Sequence, residues 1–479
     1  VATVTVTRPF NNYQVSTFAG STTSGFVNET GTAARFNSCN GINKDANGNF
    51  YVTDVNNHSI RKITPAGVVT TLAGIAGTAG YADGIGATVR FSSPHSVAAD
   101  ASGNIYVADQ GNHCIRKITP SGTVSTFAGT NTAGSTDGTL TNARFNQPSG
   151  ILINTAGEIF VADYGNHKIR KISADGTTVT TFAGSGVAGG TDGTGTGATL
   201  YSPSSLAIDG LGNIYAGEIF GNKIRKITPS GVVTTLAGTG NLGGQDGAGN
   251  QATFAYPGGI TCDVGGNIFV VEYLGNKVRK ITASGIVSTI AGNGIAGFAN
   301  GNGTSTQFNG PQGIVLDAAG NLIVADRFNN TIRKMVYCDE VITTPTISGI
   351  RTITFGGSTT LTSSIATGNI WSNGSTNQSI TVNSPGTYTV SVIGGVCTSA
   401  IASATVTRIS NNYSVSVLAG SGTAGFINAT GTAARFYGVW GICKDAAGNL
   451  FIADTYNGGI RKVTPAGVVT TFAGGSGGS

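Results

Sequence analysis

Three histidines stand at nearly equal spacing in the first half of the chain. His58, His113 and His167 lie 55 and 54 residues apart, and three imidazoles are a ligand set that zinc enzymes use. Each histidine follows an asparagine at the same place in a recurring stretch of sequence. Because these are equivalent turn positions of consecutive repeats, which stacking of the repeats separates in space, we predict neither a metal site nor a cofactor.

A carboxylate and an arginine also recur, seven times each. Catalytic residues are usually unique in a chain, whereas residues that support a fold repeat with it. We interpret the carboxylates as acceptors for nearby backbone N–H groups or for the neighbouring arginine, and the arginines as packing and ion-pairing groups. The carboxylates are Asp54, Asp109, Asp163, Glu218, Glu272, Asp326 and Asp454, and the arginines are Arg61, Arg116, Arg170, Arg225, Arg279, Arg333 and Arg461.

The spacing of these arginines identifies the repeat. Successive arginines lie 55, 54, 55, 54, 54 and 128 residues apart, which indicates one supersecondary unit that is stacked several times. In the second copy, β segments at 95–100, 104–109, 114–119 and 123–129 are separated by turn residues. We name the four segments a to d. Such a four-stranded antiparallel unit buries its two faces when several copies pack radially into a propeller.

The segment GNIYVAD, followed by GNH and IRKI, resembles the NHL repeat, which builds six-bladed β-propellers. The resemblance implies an all-β fold with an NHL propeller over residues 11–337. Residues 13–20 read as a strand d without its own a, b and c, and the sixth repeat ends after strand c at 331–336. We therefore expect residues 13–20 to complete the sixth blade. The alternative is one seven-bladed ring with an inserted domain.

Residues 338–410 have a different texture and resemble small immunoglobulin-like β-sandwiches of bacterial surface proteins. The resemblance implies that Trp371 is the core tryptophan and Tyr388 the tyrosine corner. Cys338 and Cys397 bracket this region, and a disulfide between them would suit an oxidising, extracellular compartment.

The flanking segments repeat each other. Residues 401–436 match residues 1–36 closely, so we expect residues 1–10 to be the last strand of a preceding immunoglobulin-like domain. Residues 411–479 then form the first blade of a second propeller. The neighbouring propeller and sandwich units of the same polypeptide are its expected partners.

The connections between strand d and the next strand a are long and rich in glycine. They lie on the same face as the b–c turns, which we call the loop face, and long loops of this kind tend to carry function. We predict a turn role for the Asp-Gly or Asn-Gly pair in five of them. These pairs are Asp83-Gly84, Asp137-Gly138, Asp192-Gly193, Asp246-Gly247 and Asn300-Gly301.

On the loop face, the residue that begins each strand a should line the centre of the ring, which we call the ring mouth. These candidate ligand-binding residues are Asn40, His95, Ser149, Ser204, Gly258 and Gln312. We expect Asn40, His95 and Gln312 to be at least partly exposed. Six-bladed lactonases and lyases hold a metal there with carboxylates or several histidines, whereas this chain offers one histidine, so we predict that it is not an enzyme.

The favoured function is that of a non-catalytic extracellular or bacterial cell-surface protein, adhesin-like, with the propeller as an interaction platform and the sandwich as a spacer. The partner would be a protein or glycan on the loop face. The alternatives are a lyase, lactonase or glycan-active enzyme at the ring mouth, and an RNA-binding propeller. The net charge is only +5, and the Arg-Lys pairs are spread evenly over the repeats, which makes nucleic acid a poor partner. No stretch has the roughly 20 apolar residues of a membrane span.

Overall fold

The computed structural model describes residues 13–338, 342–394, 397–399, 401–409 and 413–475. The strand expected at residues 1–10 lies outside these ranges. The described residues divide into two compact units. The larger comprises Val1–Gly349, Thr360–Ile380 and Thr387–Ala404, and the smaller comprises Ile350–Thr359, Thr381–Gly386 and Thr405–Ser479.

Residues 13–337 form 29 strands, which belong to six antiparallel sheets. The first strand is β1 (Tyr13–Gly20), and sheet one contains β2 (Cys39–Lys44), β3 (Phe50–Asp54), β4 (Ser59–Ile63) and β5 (Val69–Gly74). Sheet two contains β6 (Gly84–Ile85), β7 (Pro94–Ala99), β8 (Ile105–Asp109), β9 (Cys114–Ile118) and β10 (Thr123–Gly129). Sheet three contains β11 (Gly138–Thr139), β12 (Pro148–Ile153), β13 (Ile159–Asp163), β14 (Lys168–Ile172) and β15 (Thr178–Ala183).

The remaining three sheets repeat this pattern. Sheet four contains β16 (Gly193–Thr194), β17 (Pro203–Ile208), β18 (Ile214–Glu218), β19 (Lys223–Ile227) and β20 (Val232–Ala237). Sheet five contains β21 (Gly247–Ala248), β22 (Pro257–Cys262), β23 (Ile268–Glu272), β24 (Lys277–Ile281) and β25 (Ile286–Ala291). Sheet six contains β26 (Gly301–Asn302), β27 (Pro311–Leu316), β28 (Leu322–Asp326) and β29 (Thr331–Tyr337) together with β1.

The helical content of the described ranges is confined to three-residue 3-10 helices, and none of them is long enough to cross a membrane. They are Gly31–Ala33, Val55–Asn57, Gly86–Thr88, Gln110–Asn112, Tyr164–Asn166, Gly195–Gly197, Gly303–Ser305, Arg327–Asn329, Gly431–Ala433 and Thr455–Asn457. The all-β fold predicted from the repeat is thus confirmed.

The strands a (β2, β7, β12, β17, β22 and β27) lie innermost and contact each other in turn, and β27 contacts β2 again. Among residues 13–337 the six sheets therefore close a ring. The sheets bury both faces against their neighbours, as where Tyr106 of sheet two packs with Phe145 and Val161 of sheet three. This explains why strand b is a continuous apolar run: all of β8 is buried.

The inner strands approach each other closely just after their first residue. A Cβ atom on Gly41 would lie 2.4 Å from the carbonyl oxygen of His95, and one on Gly313 would lie 2.2 Å from that of Asn40. Larger side chains at these glycines would push the sheets apart and open the centre of the ring.

β1 lies beside β29 in the position predicted for it. The two strands are antiparallel, with Tyr13 opposite Tyr337 and Gly20 opposite Thr331. Val15 and Ala19 are fully buried. The pairing gives sheet six its strand d from the opposite end of the ring sequence.

Each of sheets two to six has a fifth strand of two residues at its outer edge, formed by the loop that precedes the sheet. The glycine of the Asp-Gly or Asn-Gly pair begins this strand; Gly84, for example, pairs with Val124. The predicted turn role was wrong. The loop carboxylate instead reaches inward, and Asp83 accepts a hydrogen bond from Arg116 at 2.6 Å.

Residues 347–408 form short strands of a different arrangement: β30 (Ile347–Ser348), β31 (Thr352–Ile353), β32 (Thr359–Ser363), β33 (Asn369–Trp371), β34 (Ser379–Val382), β35 (Gly386–Gly394), β36 (Cys397–Thr398) and β37 (Ala402–Arg408). β30 pairs with β32 and β33 with β35, both antiparallel. Trp371 is 1% exposed, and a disulfide joins Cys338 to Cys397. The immunoglobulin-like identity of this segment stays a prediction.

The last repeat forms a single sheet of β38 (Val439–Lys444), β39 (Leu450–Asp454), β40 (Gly459–Val463) and β41 (Val469–Gly474). Its strand a is exposed throughout. Trp440 occupies the position that Asn40 holds in sheet one, but it is 80% exposed whereas Asn40 is 1% exposed.

Candidate ligand-binding site

The inner strands enclose a cavity of about 250 Å³ at the centre of the ring. Five of the six predicted mouth residues line it, namely Asn40, His95, Ser204, Gly258 and Gln312. Ser149 does not: its hydroxyl turns sideways and donates to the carbonyl oxygen of Ser204 at 2.7 Å. The register of the repeat thus brings most of the predicted site together.

The mouth residues are more buried than predicted. Asn40 and Ser149 are each 1% exposed, Ser204 is 4% exposed and Gln312 is 6% exposed. The expectation of partial exposure was wrong for Asn40 and Gln312, because six strands converge on one axis and leave only a narrow space between them.

Two of these buried side chains have a polar atom without a partner. Nδ2 of Asn40 and Oε1 of Gln312 make no hydrogen bond within the described part of the chain. Buried polar groups are nearly always hydrogen-bonded, because an unsatisfied donor or acceptor is costly. The side chains that carry this unsatisfied donor and this unsatisfied acceptor line the same cavity, although the two atoms themselves are closed to solvent.

His95 is the basic side chain of the cavity lining. Its Nδ1 lies 2.9 Å from Oγ of Ser149. Enclosure by the ring, aided by the positive charge of Arg327, lowers the pKa of His95 to about 3. The imidazole is therefore neutral at physiological pH, and it is a very weak base.

Arg327 is a residue of the loop face that the sequence did not single out. It stands in the b–c turn of sheet six, where its Nε donates to Oγ of Ser38 at 2.8 Å. Among the described residues it forms no ion pair and its two terminal nitrogens make no hydrogen bond. The signal was available, since this turn position varies between repeats whose surroundings are constant: Val55, Gln110, Tyr164, Ile219, Tyr273 and Arg327.

The three regularly spaced histidines connect neighbouring sheets. Nδ1 of each accepts a hydrogen bond of 3.1 Å from a backbone N–H of the next sheet, donated by Ser93, Gln147 and Ser202 in turn. Sheets four to six use the amide oxygen of an asparagine instead, and Asn330 closes the series by accepting from Ser38 of sheet one. Among the residues that the structure describes, no group of three or more His, Cys, Asp or Glu is placed to hold a metal ion.

The recurring arginines and carboxylates form buried ion pairs between strands b and c. In sheet two, Arg116 donates to Asp109 at 3.0 Å, and both side chains are fully buried. Asp109 also accepts from Asn112 and from the backbone of Ser92. Burial raises the pKa of Asp109 to about 6, while these hydrogen bonds and Arg116 act to lower it. The pairs hold each sheet to the loop before it and lie apart from the cavity.

Sheets four and five replace the aspartate by glutamate and keep the same function. Glu218 accepts one hydrogen bond from Arg225 at 3.1 Å and one from the backbone N–H of Tyr201 at 3.0 Å. The asparagine of the other sheets is replaced by Gly221, where a Cβ would lie 2.6 Å from Oε2 of Glu218. The longer carboxylate thus fills the space that the asparagine side chain occupies elsewhere.

The family model described as NHL repeat matches residues 91–118, 145–172 and 308–335. These segments cover strands a to c of sheets two, three and six. Strands a, b and c with the ion pair between them are therefore the part of the unit that defines the repeat.

Two curated proteins show related sequences. The chain is 29% identical over 306 residues to "Protein SUPPRESSOR OF QUENCHING 1, chloroplastic" from Arabidopsis thaliana, which covers 60% of this chain and 29% of that protein. It is 30% identical over 307 residues to "NHL repeat-containing protein 2" from Gallus gallus, covering 56% of this chain and 42% of that protein. The chain thus spans less than half the length of either relative.

Among solved structures, a protein of unknown function from Bacteroides thetaiotaomicron has a similar fold. Its TM-score is 0.54 at 23% identity, over 68% of this chain and 76% of that chain. With the sheets and ion pairs described above, these comparisons show that the chain carries NHL repeats in an all-β fold of the NHL β-propeller type.

Proposed function

We propose that the ring of sheets is a non-catalytic binding module that holds a polar ligand at its mouth, on the loop face. The observation that carries this proposal is the pair of unsatisfied buried atoms, Asn40 Nδ2 and Gln312 Oε1. In the proposed complex a ligand hydroxyl accepts from the first and donates to the second after the two side chains turn toward the cavity, because neither atom is open to solvent. Binding would thereby satisfy both side chains and relieve the cost of leaving them unpaired.

The basicity of His95 favours binding over catalysis. A general base works best with a pKa near the operating pH, whereas that of His95 is lowered to about 3. The cavity lining within residues 40–315 includes no carboxylate that could take over this role. The chemistry on offer is hydrogen bonding by amides, hydroxyls, the thiol of Cys262 and one neutral imidazole.

The second candidate function is a hydrolase, favoured by the distance of 2.9 Å between Ser149 Oγ and His95 Nδ1. A serine beside a histidine is the beginning of a nucleophilic site. However, Ser149 directs its proton to the carbonyl oxygen of Ser204, and it is only 1% exposed. Labelling of Ser149 by a fluorophosphonate probe would support the hydrolase and contradict the binding module.

The test of the binding module is a thermal-shift screen of small polar molecules, since a ligand that binds only the folded state raises the Tm. The double variant Asn40→Ala/Gln312→Ala should abolish the shift given by any hit. The control is Asn47→Ala, which truncates an exposed asparagine in an a–b turn, and it should behave as the unchanged protein. After incubation with the protein, mass spectrometry should recover the bound small molecule unchanged and in full. A shift that persists in the double variant, or consumption of the hit, would refute the proposal.

We further propose an extracellular or cell-surface location. The disulfide between Cys338 and Cys397 supports it, because such bonds persist in oxidising compartments. Mass spectrometry of the protein from its native source, alkylated before reduction, should find these two cysteines oxidised. Finding both as alkylated thiols would refute the proposal.

A further inference from the structure

A band of aromatic side chains follows the loop face over sheets three to six. Four belong to the b–c turns, and two stand just before a strand a. We call this set the aromatic arc, and its members are Tyr164, Tyr201, Phe220, Tyr256, Tyr273 and Phe328. We propose that the aromatic arc binds a neutral oligosaccharide, whose sugar rings lie on these side chains. The inference extends the proposed function, because arc and mouth belong to the same face.

The side chains of the arc form two groups of neighbouring rings, which a backbone hydrogen bond joins. Phe220 is its centre, with ring centroids 5.8 Å from Tyr201, 6.1 Å from Tyr164 and 5.4 Å from Tyr256. The backbone N–H of Tyr273 donates to the carbonyl oxygen of Tyr256. Tyr273 in turn lies 5.7 Å from Phe328. Tyr201, Phe220 and Phe328 are 39%, 42% and 48% exposed, so the arc presents aromatic surface to solvent.

The fold does not require these aromatic residues. At the same turn positions, sheet one has Val55 and Asn56, and sheet two has Gln110 and Gly111. Those sheets are otherwise built alike, with the same strands and the same buried ion pair. Because sheets of the same construction lack these aromatic side chains, a binding partner explains the arc better than the fold does. Exposed apolar patches commonly mark interaction sites.

Tyr256 has an unfavourable backbone conformation, and it is the one aromatic residue at this position of the six sheets. It adopts a φ of 57°, the left-handed region, which is unfavourable for a bulky side chain. The equivalent residues of the other sheets also have positive φ but are smaller or polar: Ser38, Ser93, Gln147, Ser202 and Gly310. Strained residues of this kind cluster at ligand sites, and here the strain places a tyrosine on the arc.

The charges around the arc favour a neutral partner. Among the described residues, the one cation in contact with its rings is Arg327, whose guanidinium carbon lies 5.9 Å from the ring of Tyr273 and 5.3 Å from that of Phe328. Nearby loop carboxylates, such as Asp192, are occupied by buried arginines. A nucleic acid gains most of its affinity from several cation–phosphate contacts, which one arginine cannot supply.

A sugar chain fits the remaining chemistry. A pyranose ring has an apolar C–H face that packs on an aromatic ring, while its edge carries hydroxyls that donate and accept. Tyrosine offers an apolar body and a polar tip, and the guanidinium of Arg327 has free donors for hydroxyl oxygens.

The test is isothermal titration of the full chain with a panel of soluble oligomers. The neutral probes are the hexasaccharides of cellulose, xylan, mannan, laminarin and chitin, and the charged probes are hexagalacturonate and an oligothymidylate. At least one neutral hexasaccharide should bind, and its affinity should not change when NaCl is raised from about 0.05 to about 0.5 M. Binding of no neutral sugar, or only of charged probes with loss at high salt, would overturn the proposal.

Two variants locate the sugar. Phe220→Ala should weaken binding by about tenfold or more, as expected for an aromatic anchor. Tyr256→Gly should also weaken it, and it should leave the Tm equal or higher because glycine accepts the positive φ without strain. The matched control is Tyr456→Ala: Tyr456 has the same repeat position as Phe220 in the last sheet and lies 5.0 Å from Tyr437. It should not affect binding.

The variants also separate this inference from the proposed function. If Phe220→Ala and Tyr256→Gly leave sugar affinity unchanged, the arc is not the site and the inference fails. If both weaken sugar binding while Asn40→Ala/Gln312→Ala does not, the arc stands and the role of the mouth falls.

Discussion

The buried arginines of sheets one and two offer a direct comparison of one carboxylate partner with two. Arg61 donates to Asp54 at 2.8 Å and to the neutral amide of Asn28 at 2.8 Å. In sheet two, Arg116 contacts both Asp109 and Asp83, at 3.0 and 2.6 Å. We therefore expect Asp54→Asn to destabilise the protein more than Asp109→Asn.

The magnitude follows from what remains after each substitution. Removing one partner of a buried ion pair costs about 3–5 kcal/mol, because the other charge is left uncompensated. In Asp54→Asn no carboxylate remains beside Arg61, and we expect the upper part of that range. In Asp109→Asn, Asp83 remains but is 51% exposed. Water screens the Asp83 carboxylate, so its attraction to Arg116 should offset only about 1–2 kcal/mol of the lost free energy of unfolding.

The assay is urea unfolding followed by circular dichroism, with hydrogen exchange to locate the loss in sheet one or two. At about pH 7.5 both aspartates are ionised, because burial raises their pKa only to about 6. Adding Asn28→Asp to Asp54→Asn should recover about 1–2 kcal/mol, since it recreates the second carboxylate of sheet two. Equal losses in the two single variants, or no recovery, would refute this reasoning.

Three further outcomes are expected. The lowered pKa of His95 means that stability is lost as the pH falls below 6.5 toward about 3; at about pH 5 this amounts to about 2 kcal/mol. The free energy of unfolding of His95→Gln, measured by urea titration relative to that of the unchanged protein, should therefore rise by this amount between about pH 7 and 5. A difference that does not change with pH would contradict the prediction. Glu218→Asp and Gly221→Asn should each lower the Cm for urea, whereas the double variant should recover most of the loss because it recreates the Asp and Asn pair of sheet two. Additive losses would show that the longer carboxylate does not take the place of the asparagine side chain. Deleting residues 1–20 should lower the Tm by about 10 °C or more, because β29 loses its partner strand, and an unchanged melting curve would disprove the closure by β1.

Most of the fold could be predicted because the repeat carries it. The recurring pattern predicts the strands a to d and the NHL relationship, and both are confirmed. The fifth strands escaped prediction because two residues show no alternation. The Asp-Gly pairs were misassigned for a physical reason: this dipeptide is typical of turns, but the arginine that binds Asp83 lies 33 residues away in the sequence.

The site could be predicted in position but not in character. Counting along the repeat locates Asn40 and Gln312 at the centre, since equivalent residues of a closed ring share one axis. Their burial depends on how tightly six strands converge, which no single repeat encodes. The pattern of strand a gives no indication of Arg327, because this residue lies in the b–c turn, which is the more variable position on the same face.

The boundaries between the propeller, the sandwich and the last blade stay predictions, as does the extracellular location.

The pairing of β1 with β29 has a mechanical consequence. Tyr13 and Tyr337 are opposite each other, so the chain enters and leaves the ring at the same end of an antiparallel pair. Tension applied along the polypeptide would separate this pair one hydrogen bond at a time, in the manner of a zipper, rather than load all of them together in shear. A ring inserted in this way into a stretched protein would open at low force between β1 and β29. The other sheets, whose strands are connected by loops of the chain, would remain folded until β1 had been released.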